Sequence, residues 1–174
     1  EGLLFVGGFA HPPNADAVLW FAREIFPKIR EKLEVPFYIV GSKVTEEIQS
    51  LEQPGNGIIV KGFVSEEELS ELYRTCRIVV VPLRYGAGVK GKVIEALYNG
   101  APVVTTSIGA EGIAEAESVM CIKDAPEEFA EETVRLYQDP ESLRELSRKT
   151  QDYIREYYSV DAAWSVVEED FRLV

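Results

Sequence analysis

Residues Ile78 to Thr106 read IVVVPLRYGAGVKGKVIEALYNGAPVVTT. The run opens with four consecutive β-branched residues, Ile78 to Val81, which predict a strand buried on both faces and so central in a parallel sheet. Pro82 ends that strand. A loop with three glycines (Gly86, Gly88, Gly91) and three cations (Arg84, Lys90, Lys92) follows. The spacing then predicts a helix over Lys90 to Asn99, stopped at Gly100. A second buried strand covers Pro102 to Thr105. A glycine-rich basic loop between a strand and a helix holds anions well: its glycines let backbone approach the ligand, and the first helical amides have no intrahelical acceptor. Gly88, Val89, Lys90, Gly91 and Lys92 are therefore candidate diphosphate ligands through their amides and cations. A flexible turn with solvated lysines is the alternative.

Outward from this run, short apolar strands alternate with amphipathic segments. Strands are predicted at Leu3 to Gly8, Phe37 to Gly41 and Gly57 to Gly62. Helices are predicted from Asn14, read as an N-cap, to Leu33, and from Thr45 to Leu51. A third starts at the capping-box pair Ser65 and Glu68 and runs to Thr75. After Thr106 come an edge strand (Ser118 to Ile122) and two acidic helices (Pro126 to Gln138, Pro140 to Tyr157). A last helical segment, Asp161 to Leu173, carries Trp164, Val167 and Phe171. The alternation implies an α/β domain: a parallel sheet with helices on both faces, plus C-terminal helices. Ligands of such sheets bind beyond the carboxyl ends of the strands. Repeats and low-complexity linkers are absent, and 174 residues suit one domain.

The chain carries 30 acidic and 18 basic residues, a net charge of −12. That balance argues against nucleic acid as a partner. No apolar run reaches the roughly 20 residues of a membrane span. The chain opens at Glu1 and enters a strand almost at once, so it is expected to be a fragment of a longer protein without a signal peptide. Cys76 and Cys121 are expected as reduced thiols, and a single histidine, His11, argues against a histidine metal site. His11 and Glu111 are weaker candidates for the cleft.

Gly86 to Lys92 fits the spacing GxxxxGK of a nucleotide-hydrolysing P-loop, but the next residue is Val93, so the magnesium-binding hydroxyl is missing. The run favours a different use of its helix. Glu95 lies about one turn in, near the anion site, where a carboxylate can accept hydrogen bonds from sugar hydroxyls.

The segments PLRYGAGVKGKVIEALYNGAPVVTTSIGAEGI, FVGGF and GFVSEEELSELYRTCRIVVVPL resemble the donor-binding C-terminal half of GT-B glycosyltransferases, especially glycosyltransferase family 4. The resemblance covers nearly the whole chain and implies a Rossmann-like, three-layer domain, one half of the GT-B fold. It implies a nucleoside-diphospho-sugar donor, no metal or other cofactor, and transfer of the sugar with retention. Glu95 matches the second glutamate of the family's paired motif, which holds the ribose. Gly88 to Lys92 match amides at the diphosphate. Gly7 and Gly8 match the loop facing it, and Gly62, Phe63 and Val64 match the loop bordering the base. The first glutamate of the pair aligns with Ala87, and two family cations align with Gly8 and Asn14. Arg84, Lys90 and Lys92 are expected to replace those cations. Catalytic residues stay unassigned. The resemblance also implies a missing N-terminal acceptor domain, a cytoplasmic location at the inner membrane face, and membrane association only through that domain. The isolated chain is expected to bind nucleotide weakly and transfer nothing. A nucleotide-sugar epimerase of related fold and a non-catalytic nucleotide-binding or scaffold module remain the alternatives.

Overall fold

The computed structural model describes residues 1–158; the stripe of Trp164, Val167 and Phe171 lies outside the described residues. Six strands form one sheet: β1 (Leu3–Val6), β2 (Phe37–Val40), β3 (Ile58–Gly62), β4 (Ile78–Val81), β5 (Val103–Thr105) and β6 (Cys121–Ile122). All neighbours are parallel, in the order β3-β2-β1-β4-β5-β6. The order reverses between β1 and β4, where Leu3 pairs with Ile78 and Leu4 with Val79. The unbroken apolar run of β4 is buried along its whole length, as a central parallel strand requires.

The helices are α1 (Pro12–Trp20), α2 (Phe26–Arg30), α3 (Glu46–Gln49), α4 (Glu66–Thr75), α5 (Gly91–Tyr98), α6 (Ser107–Ala110), α7 (Pro126–Gln138) and α8 (Pro140–Tyr157). Right-handed crossovers place α1 to α3 on one face and α4 and α5 on the other. The long C-terminal helices cover both: α7 packs against α2, and α8 against α5. Phe21, Phe37 and Phe129 meet in the core under α7, with ring centroids 4.7 Å apart for Phe21–Phe37 and 5.8 Å for Phe21–Phe129.

Two of the predicted elements differ from the sequence reading. The first long helix starts at Pro12, with His11 as its N-cap, not at Asn14. Prolines at the first two helical positions cost no hydrogen bond there, and Asn14 is buried for tertiary work. That helix also does not run evenly to Leu33. A π-helical turn, Phe21–Ile25, separates α1 from α2, which ends at Arg30. Pro27 has no amide to donate into the preceding turn, which favours an irregular register there. The edge strand shrinks to Cys121–Ile122, because Ala116–Ser118 form a 3-10 turn.

Candidate functional site

The carboxyl ends of β1 and β4 lie side by side at the point where strand order reverses, and the loops leaving them diverge there into a crevice. The β1 loop begins with Gly7 and Gly8. Gly7 donates its amide to Val40 O at 2.9 Å, and Phe9 donates to Ser42 O at 2.9 Å, so the loop is stitched to the end of β2. The approach is close. A Cβ on Gly41 would lie 1.9 Å from Gly7 O, and one on Gly7 would lie 2.9–3.0 Å from the side chains of Asn14 and Lys92.

The β4 loop is anchored from β5. Thr105 Oγ1 donates to Val81 O at 2.9 Å, and Thr106 Oγ1 donates to Leu83 O. Beyond Leu83 the chain is exposed, and Gly86 (φ 121°) and Gly88 (φ 80°) take left-handed conformations that other residues would resist. Lys90 is the N-cap of α5 but supplies no side-chain cap. Among the described residues, the amides of Gly88, Val89, Lys90, Gly91 and Lys92 find no acceptor in the protein. Five unpaired donors thus gather at a helix N-terminus, whose dipole also favours negative charge.

The three cations are disposed differently. Lys92 reaches over the crevice floor. Its Nζ donates to Asn14 Oδ1 and sits 5.7 Å from the centroid of the Phe5 ring. Asn14 in turn donates Nδ2 to Gly8 O at 2.8 Å. Burial, and secondarily the charge of Lys90, lower the Lys92 ammonium to about 8. Lys90 folds over its own loop, donating to Gly86 O and Gly88 O, with Glu111 Oε2 3.6 Å away. The expected free guanidinium of Arg84 is instead engaged. Its Nε donates to Asp16 Oδ2 at 2.9 Å in a two-pronged pair, and its Cζ lies 5.4 Å from the Trp20 ring centroid. The carboxylate lies in the first turns of α1, and it draws the guanidinium to that side of the loop.

Glu95 is exposed on α5, one turn beyond the free amides. Its carboxylate adds to burial in raising the Tyr73 hydroxyl above the usual phenol range, and that hydroxyl is buried without a partner. Gly62 (φ 67°) ends β3, and its carbonyl accepts from the Gly41 amide at 2.9 Å. Phe63 projects at 83% exposure, beside half-buried Val64. Val89 is half exposed and lies over Gly112, where a Cβ would come 2.7 Å from its Cγ2.

The structure therefore brings together Gly7, Gly8, Lys90, Gly91 and Lys92, with Gly88 and Val89 on the rim. Gly62, at the end of edge strand β3, and Val64, just past it, stand apart, three strand spacings from β4, or roughly 14 Å. His11 caps α1 in solvent, and Cys76 and Cys121 are free thiols with pKa values pushed up by burial to about 11 and about 12. Sequence reasoning missed Asn14 as a bridge, Gly41 as a spacer and the threonine anchors. Asn14 and the Thr105–Thr106 pair are polar residues inside apolar or glycine-rich runs, the one signal they leave. Among the described residues no group of three His, Cys, Asp or Glu side chains gathers as a metal site, and no helix is long and apolar enough to cross a membrane.

The same fold occurs in solved glycosyltransferase structures. A mutant of S. aureus TarM, solved with fondaparinux, α-GlcNAc-glycerol and UDP, superposes with a TM-score of 0.77 at 19% identity, over 99% of this chain and 35% of that one. The C-terminal domain of the group 1 glycosyl transferase LpcC from Francisella tularensis gives a TM-score of 0.72 at 17% identity, over 91% of this chain and 87% of that one. These likenesses concern the fold. An uncharacterized 44.6 kDa protein of the cps region of Klebsiella pneumoniae is 28% identical over 173 residues, 95% of this chain and 44% of that protein. The chain thus spans less than half of that relative's length. The family model described as "Glycosyl transferases group 1" matches residues 1–139, which include both loops of the crevice, all six strands and Glu95. The chain is a member of the group 1 glycosyl transferases and has the fold of their C-terminal GT-B half.

Proposed function

We propose that this chain is the donor-binding domain of a retaining glycosyltransferase that moves a sugar from a nucleoside diphosphate to an acceptor. The acceptor site would lie on an N-terminal domain of the longer protein. The observation that carries this reading is the crevice between β1 and β4, where five unpaired amides and Lys92 converge on one side and the glycine pair Gly7–Gly8 lines the other. Such a cradle matches a diphosphate in charge and in donor count.

In this reading the diphosphate lies over Gly88 to Lys92, and the Glu95 carboxylate accepts from the ribose hydroxyls. The base extends toward Gly62, Phe63 and Val64, where the exposed Phe63 ring offers a stacking face. Lys92 and Lys90 supply the positive charge, with Glu111 giving up Lys90 as the anion enters. Arg84 would join them only by leaving Asp16, so we assign its main role to holding the loop. When the bond to the sugar breaks, negative charge grows on the departing diphosphate. Fixed amides and ammonium groups stabilise that charge without reorganising, which is often the largest catalytic contribution. We assign no metal to this step. We place the protein in the cytoplasm at the inner membrane face, with membrane contact made by the N-terminal domain.

Ala87 favours a second reading, a nucleotide-binding module without catalysis. It is exposed on the loop where the resemblance calls for an acid. Calorimetric titration of the chain with UDP, GDP and ADP tests both at the level of binding. Saturable binding of one diphosphate is expected; no binding of any would overturn the donor-site assignment. Comparing the longer protein with an Ala87→Glu variant in a sugar-transfer assay separates transferase from module, and transfer by the unmodified protein is expected.

A further inference from the structure

We propose a second anion site, at the opposite end of the sheet from the donor crevice, that takes a phosphate group. A groove of about 480 Å³ opens at the amino ends of β4 and β5, between the last turn of α4, the end of α5 and one side of α8. Four arginines line it, Arg74, Arg77, Arg144 and Arg148, and no acidic residue does. In a chain with a net charge of −12 that local composition is a sharp reversal.

Two of the four arginines are already in use. Arg74 makes a two-pronged pair with Glu71, and Arg77 donates to Tyr137 O at 3.0 Å and pairs with Glu1 at 3.3 Å. Both also stand near helix C-terminal ends, where cations are favoured. That accounts for Arg74 and Arg77 but not for the other two. Arg144 and Arg148 project from α8 four residues apart, on one side of the helix, and neither has an ion pair among the described residues. Like charges at that spacing oppose one another unless an anion lies between them.

The groove also offers uncharged partners. Ser147 Oγ donates to Gly100 O at 2.7 Å and ties α8 to the end of α5, with Asn99 and Gln151 alongside. Tyr73, another lining residue, is 5% exposed and its hydroxyl has no partner. Planar guanidinium groups bind phosphate oxygens two at a time, and the volume suits a small phosphate-bearing molecule or a single lipid headgroup. The site binds phosphate independently of the donor crevice, because it uses none of the same residues.

The test is a nitrogen-15 amide spectrum of the intact chain titrated with inorganic phosphate, in the wild type, in Lys92→Ala and in the double variant Arg144→Gln/Arg148→Gln. Both arginines are exposed, so the double variant should fold, and its far-ultraviolet circular dichroism checks that. Saturable shifts are expected at the amides of Gly100, Ser147 and Arg148 in the wild type and equally in Lys92→Ala. In the double variant the midpoint at Gly100 and Ser147 should weaken by about tenfold or more. Absence of shifts at these amides, or shifts of unchanged midpoint in the double variant, overturns the site. Co-sedimentation with phosphatidylglycerol vesicles, lost in the double variant, would identify the phosphate as a lipid's. Phosphate shifts without co-sedimentation would identify a soluble ligand.

Discussion

Lys92 donates its ammonium proton to Asn14 Oδ1, joining two residues 78 positions apart and closing the floor of the crevice between β1 and β4. The contact explains why two polar residues sit among apolar neighbours. Asn14 is 4% exposed, and its amide is spent on Gly8 O while its oxygen faces the lysine. The lysine thus comes from the far loop to the place where the resemblance puts cations on the near one. Replacing Lys92 by Met keeps the stem but removes the charge. Nucleotide affinity should then fall by about 1.5–3 kcal/mol, the usual cost of a lost hydrogen bond to a charged group. Calorimetry with whichever of UDP, GDP and ADP binds the wild type measures it. An affinity within threefold of the wild type would contradict the assignment.

The low pKa of Lys92 gives a pH dependence. A lysine lowered from 10.5 to about 8 in the fold, chiefly by burial, is charged at pH 7 and largely neutral at pH 9. A diphosphate favours the charged form, so affinity should weaken as pH rises from 7 to 9. Stability should move the other way. Between pH 8 and 10.5 the unfolded chain holds the lysine proton more tightly than the fold does, so this group makes the fold more stable as pH rises. After allowing for partial exposure, the gain is about 1–2 kcal/mol. The raised thiols of Cys76 and Cys121 pull stability the other way over the same range in both proteins, so the gain should appear as the difference between wild type and Lys92→Met when urea unfolding at pH 7.5 and 9.5 is compared.

Glu95 is expected to read the ribose. Its exposed position on α5, one turn past the free amides, suits a group that meets a sugar rather than one that packs. Glu95→Gln should cost roughly 1.5–3 kcal/mol with a ribonucleoside diphosphate and much less with its 2′-deoxy analogue. The comparison is a two-way cycle of protein and ligand changes. Equal losses for both ligands would show that the carboxylate acts elsewhere.

Much of the fold was legible because burial leaves a strong mark on parallel strands. The IVVV run had one reading, and a parallel sheet followed from the alternation, whereas the order of strands across that sheet came only with the structure. The short helix Ser107–Ala110 left no such mark and was absent from the sequence reading. The start of α1 was misplaced because Asn14 reads as a cap by type, while its actual partners, Gly8 and Lys92, lie across the crevice and leave no local pattern. The site divided along the same line. Glycines and cations announced the anion cradle, since their clustering is local. The engagement of Arg84 by Asp16 was not legible, because a carboxylate 68 residues away in sequence meets it only after the sheet forms.

That pair has its own expected effect. Arg84 and Asp16 join the β4 loop to α1 with side chains 49% and 24% exposed, so solvent screens much of the attraction. A double-mutant cycle through Arg84→Ala and Asp16→Ala should give a coupling of about 0.5–1 kcal/mol in unfolding free energy. If Arg84 mainly holds the loop, Asp16→Ala should weaken nucleotide binding as much as Arg84→Ala does. If the guanidinium instead binds the diphosphate directly, Asp16→Ala should free it and tighten binding.

Gly41 marks where the fold and the site share one constraint. It follows β2 and lies against the β1 loop so closely that an added Cβ would stand 1.9 Å from Gly7 O. Backbone on both sides cannot yield as a flexible side chain would. The loop must move, and with it the Gly7 amide that donates to Val40 and the Gly8 carbonyl that holds Asn14. Gly41→Ala should therefore destabilise the fold by about 3 kcal/mol in urea unfolding, near the upper end for overpacking. In the fraction that remains folded, nucleotide affinity should also fall, because a displaced Asn14 no longer positions Lys92. Gly55 supplies the control: it takes a left-handed conformation (φ 78°), but an added Cβ there meets nothing within 4 Å. Gly55→Ala should cost only its backbone strain, about 1–2 kcal/mol, and leave nucleotide affinity unchanged.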